Sequence, residues 1–266
     1  MTNITWGSSI RDFGKWQLAA DRAPGTIRLY AYRLRDLAAL APAGPSAVTD
    51  ELLLEVIGTH KAAETKKSVR TTYRTFFKWA HKSGRVPSNP AEDLPSITIP
   101  QKLPNPTPEP VLELALRSAD ERELFMLRLG AYAGLRCCEI AIVHSDQWDR
   151  YRRVLKVVGK GGKMRRVAIA QEDLCRLLDD LEGYAFPNRW TGQPITAGHV
   201  SRLLSRALAE TFTGHTLRHR FATKGLKGTK NIVAVSRMLG HAKLDTTLVY
   251  TLLDDDELYE VAAAVA

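Results

Sequence analysis

The stretch that decides the reading runs from Gly214 to Tyr250. It opens Gly214-His215-Thr216-Leu217-Arg218-His219, continues to Leu239-Gly240-His241, and closes Thr246-Thr247-Leu248-Val249-Tyr250. Leu217, Phe221 and Leu226 give its first part the apolar face of a helix. His215 and Arg218 stand three apart, so they share a face near that helix's start. A helix start carrying a cation and an imidazole is a place to hold an anion. Ile232 to Leu239 reads as a second helix, with Gly240 as its C-cap. His241 follows at once, and Tyr250 lies among threonines and aspartates rather than in an apolar run. Upstream, Gly134-Leu135-Arg136 ends one apolar helix and leads into another. Gly159-Lys160-Gly161-Gly162-Lys163 joins two strand-like runs.

Working outward, the N-terminal third is helical. Ser8 to Ala20 carries Ile10, Phe13, Trp16 and Leu18 on its apolar side, and Pro24 starts a second helix with Ile27, Tyr30, Leu34 and Leu37. Thr49-Asp50-Glu51 supplies the cap and acidic first turn of a third helix ending at Gly58. Thr65 to Lys82 is a fourth, with Val69, Tyr73, Phe76 and Phe77 as its core face and Ser83-Gly84 as its stop. Four helices with short connections make a small all-α domain over residues 1–94. Pro95, Pro100, Pro104, Pro106, Pro108 and Pro110 then mark an extended, semi-rigid linker over 95–110.

A second domain follows over 111–266. Helices are expected at Glu109–Ala119, Glu121–Ala133, Cys137–Val143 and Asp173–Leu181, and from the Thr196 cap to Ala209. Val154–Val158 and Met164–Ala170 form a hairpin across the glycines of 159–163. From about Asp254 the chain becomes a short tail, acidic and then apolar. The fold class is therefore mainly α: a helical N-terminal domain plus an α-rich C-terminal domain with a small β-sheet.

Lysine plus arginine exceeds aspartate plus glutamate by 38 − 29 = +9. Up to Pro100 the balance is 14 − 9 = +5, leaving 24 − 20 = +4 beyond, so both halves suit a polyanion such as nucleic acid. Cys137, Cys138 and Cys175 make no disulfide framework, and the adjacent pair reads as small core hydrophobes. The N-terminus lacks the apolar run of a signal peptide, and no run is long enough to span a membrane. The expected home is the cytoplasm.

Lys66, Arg70, Arg74, Lys78 and Lys82 recur every four residues opposite the aromatic face of the fourth helix, with Lys67 beside them. Only Glu64 offers opposite charge between Lys61 and Arg85, which favours a DNA-contacting stripe over a merely solvated face. Arg202 and Arg206 are a second pair four apart. For chemistry, Arg136 and Arg218 could clamp one phosphate from two sides with planar bidentate forks. His215 and His241 can donate to its oxygens or handle a proton near neutral pH. Tyr250 is a weak nucleophile unless a base or concentrated positive charge activates it. Lys160 and Lys163 both stand on the glycine-rich hairpin, and either could protonate a leaving oxygen. No acidic cluster resembles a two-metal site, so covalent catalysis without metal or other cofactor is expected.

Arg136, Lys160, His215-x-x-Arg218, His241 and Tyr250, in the contexts GLR, GKGGK, HTLRH, LGH and TTLVYT, resemble the tyrosine recombinase (phage integrase) family from about Thr107 to the end. The N-terminal part resembles its core-binding domain only loosely. The resemblance implies a 3′-phosphotyrosine on Tyr250 and Lys160 as the general acid. It further implies DNA contacts from Arg202 and Arg206, and strand exchange through a Holliday junction. Its expected partners are double-stranded DNA at attachment-type core sites and a homotetramer on that DNA, in the nucleoid of a bacterial host. The early start of the helical domain suggests a compact enzyme without an arm-binding module. Either a phage or mobile-element integrase or a Xer-like resolver of replicon multimers fits. A type IB topoisomerase-like strand transferase and a non-enzymatic DNA-binding regulator remain as alternatives. The tail is expected to dock in trans on a neighbouring protomer, with a cis-folded tail or a degradation tag as the other readings.

Overall fold

The structure, a computed structural model, describes residues 5–100, 103–159, 162–240 and Leu248. The chain divides into two compact units, Met1–Gln101 and Lys102–Ala266.

The first unit is built from α1 (Trp6–Ala19), α2 (Pro24–Leu40), a 3-10 turn (Pro45–Ala47), α3 (Asp50–Thr59) and α4 (Ala63–Lys82). Local chemistry sets these limits. The Thr5 hydroxyl accepts the Ser8 amide, Pro24 occupies the first turn of α2, and Thr49 caps α3 by accepting the Leu52 amide. The core face of α4 is as expected: Val69, Tyr73, Phe76 and Phe77 are buried against Phe13, Leu34, Leu37 and Leu53. Phe13 meets Phe76 edge-on at 5.3 Å. Each such ring contributes roughly 1.5–3 kcal/mol by leaving water. Burial pushes the Tyr73 phenol up to about 12, which marks it as a core group. After α4 the chain runs on without regular structure, and Val86, Ala91 and Leu94 seal the core.

The second unit contains α5 (Glu109–Ser118), α6 (Glu121–Ala133), α7 (Cys137–Ile140), a 3-10 turn (Ser145–Gln147), β1 (Trp148–Asp149), β2 (Val154–Val158), β3 (Met164–Ala168), α8 (Glu172–Asp179), α9 (Ala197–Ala207), α10 (Gly214–Thr229) and α11 (Ile232–Leu239). Helix α6 is its axis, buried along Phe125, Met126, Leu127, Leu129, Ala131 and Ala133. Helix α10 crosses α6 at Gly130, where a Cβ would lie 2.9 Å from Leu217 Cδ1. The sheet is antiparallel in the order β1-β2-β3, with Leu155 opposite Val167 and Val157 opposite Arg165. Leu155, Val157 and Val167 turn one face to the core.

Several expectations need correction. Helix α7 stops at Ile140, short of Val143, because the Val143 carbonyl accepts the Ala185 amide at 2.8 Å and His144 bridges to Tyr184. Strand β1 had no counterpart in the sequence reading. Helix α9 ends at Ala207, and Ala209 and Glu210 turn the chain with φ of 55° and 59°. Of the adjacent cysteines taken as core residues, Cys138 is exposed and Cys137 only half-buried. Thr107 to Glu109, read as linker, are bonded into this unit. The Thr107 amide donates to the Thr216 carbonyl at 3.1 Å, and the Arg220 fork donates to both Glu109 oxygens at 2.7 Å. The tail from Asp254 lies outside the described residues.

Candidate active site

Four buried or half-buried charges meet where α6, α7, β3, α10 and α11 converge. Gly134 ends α6 in the left-handed region, at φ 63°, and a Cβ there would fall 2.7 Å from Phe221. That turn delivers Arg136 to the start of α7. Its amide donates to Glu139 Oε2 at 2.9 Å, and its Nη1 donates to Glu139 Oε1 at 3.1 Å. Arg218 comes from α10 and is only 2% exposed. Its Nη1 donates to the Gly134 carbonyl at 2.6 Å and its Nη2 to the Leu239 carbonyl. Arg136 Nη1 reaches the same Leu239 carbonyl at 3.4 Å. The two arginines singled out in the sequence thus converge on the C-terminal end of α11, where the helix dipole favours cations.

Glu139 is the counter-charge of this cluster and is 3% exposed. Burial alone would raise its pKa. The Arg165 fork, the Arg136 amide and the charges of Arg165 and Arg136 outweigh burial and hold the carboxyl below its ordinary range. Arg218 Nη1 stands 3.9 Å from its Oε2.

The imidazoles sit on the first turns of α10. Thr213 caps the helix by accepting the His215 amide at 3.2 Å. Gly214 has no room for a side chain, since a Cβ would lie 2.7 Å from Cys137 Sγ and 2.9 Å from Leu204 Cδ1. His215 keeps an exposed edge, yet the protein around it, then Arg218 and Arg136, lower its pKa and so favour the neutral ring. His219, left outside the candidate set, packs beneath it.

Lys160, His241 and Tyr250 lie outside the described residues. The ends of the chain that flank them do not. At the hairpin base the Gly159 amide donates to the Lys163 carbonyl at 2.9 Å, and Gly240 caps α11 at φ 66°. Both glycines pack on one side chain, Arg165. A Cβ at Gly240 would stand 2.8 Å from Arg165 Cδ, and one at Gly159 would stand 3.6 Å from Arg165 Nη1.

Arg165 was missed in the sequence reading, and the signal for it is strand alternation. It shares a face with buried Val167, so it points inward, and an inward arginine needs a buried carboxylate.

The candidate DNA-contacting residues are more scattered. Lys67, Arg74 and Lys78 are exposed, and Lys66 and Arg70 half-buried. Arg70 donates through Nε and Nη2 to the Leu94 carbonyl at 3.2 and 2.7 Å. Arg202 and Arg206 are exposed on α9 and, with His199, line one open hollow of about 550 Å³. Arg206 also pairs with Glu123.

A family model described as the phage integrase family matches residues 109–257. The tyrosine recombinase XerC of Chromohalobacter salexigens is 33% identical over 268 residues, covering 89% of this chain and 88% of that protein. The XerC of Chlamydia trachomatis serovar L2 is 31% identical over 223 residues, covering 75% and 70%. In fold, a lambda integrase dimer bound to a COC′ core site gives a TM-score of 0.73 at 18% identity, covering 93% of this chain and 77% of that one. No helix among the described residues is long and apolar enough to cross a membrane. The chain belongs to the phage integrase family of tyrosine recombinases, and it is a site-specific DNA recombinase.

Proposed function

We propose that this recombinase cleaves and rejoins duplex DNA through a 3′-phosphotyrosine on Tyr250, with Arg136, Lys160, His215, Arg218 and His241 as the other catalytic residues. The observation that carries the reading is the convergence of Arg136 and Arg218 on the Leu239 carbonyl, with the His215 imidazole on the same helix as Arg218 and its pKa lowered by both arginines. A scissile phosphate seated there meets two guanidinium forks. They stabilise the extra negative charge that its non-bridging oxygens gain at the transition state. Neutral His215 accepts the phenol proton as the Tyr250 oxygen attacks phosphorus. A new phosphorus–oxygen bond to the tyrosine forms as the bond to the 5′ oxygen breaks, and Lys160 protonates that leaving oxygen. His241 donates a hydrogen bond to a non-bridging oxygen. The ester retains the bond energy, so a 5′ hydroxyl from another strand reverses the step.

In this reading the partner is double-stranded DNA at attachment-type core sites. Residues 1–94 form a core-binding domain, a linker follows from Pro95, and the catalytic domain takes in the chain from Thr107 onward. Lys66, Lys67, Arg70, Arg74, Lys78, Arg202 and Arg206 meet phosphates or base edges. Four protomers assemble on two duplexes in the nucleoid, with the tail docked in trans. Solved relatives described as bound to a core site, or to a difH substrate, support DNA as the partner. Integration and excision of a phage or mobile element is the primary role. Resolution of replicon multimers is the second reading, favoured by the near full-length match to a XerC protein.

Incubation with a nicked suicide duplex tests the chemistry. Tyr250→Phe is expected to bind DNA and form no covalent adduct. An adduct stable in denaturing gels formed by the Phe variant would refute the assignment of the nucleophile.

A further inference from the structure

We propose that Arg165 is a positioning residue. It fixes the base of the Lys160 hairpin to the end of α11, so that the leaving-group acid is held in place for the scissile phosphate. The proposal rests on the roles given above to Lys160 and Tyr250.

Three contacts from one side chain carry it. Arg165 Nη1 and Nη2 donate to Glu139 Oε1 and Oε2 at 2.7 and 2.8 Å, and Nε donates to the Met238 carbonyl at 2.7 Å. These contacts join β3, α7 and α11, three segments far apart in sequence. The arginine side chain is 9% exposed, so the bonds act in a poorly solvated setting where charge-assisted pairs are strong and geometry is strict. Only a planar fork with a separate Nε–H satisfies all three acceptors, which a lysine ammonium cannot do from one position.

The placement in the chain gives these contacts their consequence. Arg165 pairs with Val157 in the β2–β3 ladder and lies two residues past Lys163, whose carbonyl closes the hairpin base. A shift of its side chain therefore moves the strand that ends the Lys160 hairpin. On the other side, its Nε bond holds the carbonyl of Met238, two residues before Gly240 and the segment leading to His241 and Tyr250. Gly240 leaves room for the Arg165 stem, where a Cβ would stand 2.8 Å from Cδ, and Gly159 lies in contact range of the same guanidinium. Glu139 in turn bonds Arg136, so the hairpin base, the end of α11 and the phosphate clamp share one fixed point.

The test compares two leaving groups. One suicide duplex carries the ordinary bridging 5′ oxygen and the other a bridging 5′ sulfur. A thiolate, with a pKa near ~8.5, departs without a proton, so the sulfur duplex has no need of the general acid. On the oxygen duplex, Arg165→Met is expected to slow cleavage by ~100-fold, the scale of an ångström-level misplacement. It should bind a single site as the unmodified protein does and regain most of its rate on the sulfur duplex. Arg165→Lys, which keeps the charge and carries the test if the Met variant does not fold, is expected to be slow on oxygen and restored on sulfur. Equal loss on both duplexes overturns the proposal, as does an Arg165→Lys variant as fast as the unmodified protein. Lys160→Ala serves as the control. If sulfur fails to restore it, the general-acid reading itself falls and this inference falls with it. If sulfur restores Lys160→Ala but neither Arg165 variant, only the inference is refuted.

Discussion

His215 and His219 meet edge to face on α10, with ring centroids 4.4 Å apart and planes at 78°. They lie one turn apart on the same face, so protonating one ring places a cation against the other. His219 is held down to about 4, first by burial and then by His215 and Arg218. His215 is lowered by burial, Arg218 and Arg136.

This lowering makes stability depend on pH in one direction. An unfolded histidine takes up its proton near ~6.5. The native His219 does so near 4. Between those values the unfolded chain holds the extra proton, so the His219 contribution is complete above about 6.5 and is lost as pH falls toward about 4. His219→Gln should flatten that part of the profile and leave the slope at higher pH as it is. Urea midpoints taken across the acid and neutral range for both proteins measure it. Parallel profiles would show that His219 is not the group responsible.

Arg136 and Arg218 share the Leu239 carbonyl but differ in burial, and the difference separates two effects of removing them. Arg136→Ala and Arg218→Ala should each slow cleavage by at least ~100-fold, the scale of removing one electrostatic interaction with the transition state. Only Arg218→Ala should also unfold easily. It leaves the Gly134 and Leu239 carbonyls without its donors, at about 1–3 kcal/mol per buried group. The Arg136 side chain is 38% exposed, so its removal should be mild for stability. Thermal melts beside single-turnover cleavage check this, and equal melting losses for the two variants would contradict the burial difference.

The helices of the first unit were legible because their signals are local. Pro24 and Thr49 act within one turn, and Phe13, Tyr73 and Phe76 follow helical spacing; the Thr5 cap, which starts α1 at Trp6 rather than Ser8, was not read. Arg136, His215 and Arg218 could be singled out as candidates because their local contexts are distinctive, above all His215-x-x-Arg218 on a capped helix. What escaped was non-local. The end of α7 depends on Val143 pairing with Ala185, more than forty positions away in the chain. The hub at Glu139 needs Arg165 from strand β3, and spacing does not show which carboxylate an inward arginine will find. Cys138 was misread because four residues of helix are too few to tell an inner face from an outer one.

The basic stripe of α4 divides by the same criterion of partner and exposure. Arg74 and Lys78 stand exposed, and Lys66 half-exposed, whereas Arg70 bonds the buried Leu94 through two donors. If the stripe meets DNA phosphates, Lys66→Ala, Arg74→Ala and Lys78→Ala combined should weaken binding. They should also reduce the slope of log K against log salt by about one for each phosphate no longer neutralised. Their effect on folding should stay within about 0.5 kcal/mol each, as for surface changes generally. Arg70→Ala should behave differently. It leaves the Leu94 carbonyl without these donors where the chain leaves the first unit, so a drop of about 1–3 kcal/mol in stability is expected alongside any weakening of binding. Salt titrations of binding and chemical melts on both variants separate the two effects. An unchanged salt slope in the triple variant would make the stripe a solvated face. An Arg70→Ala protein as stable as its parent would show that the Leu94 bonds do not hold the end of the unit.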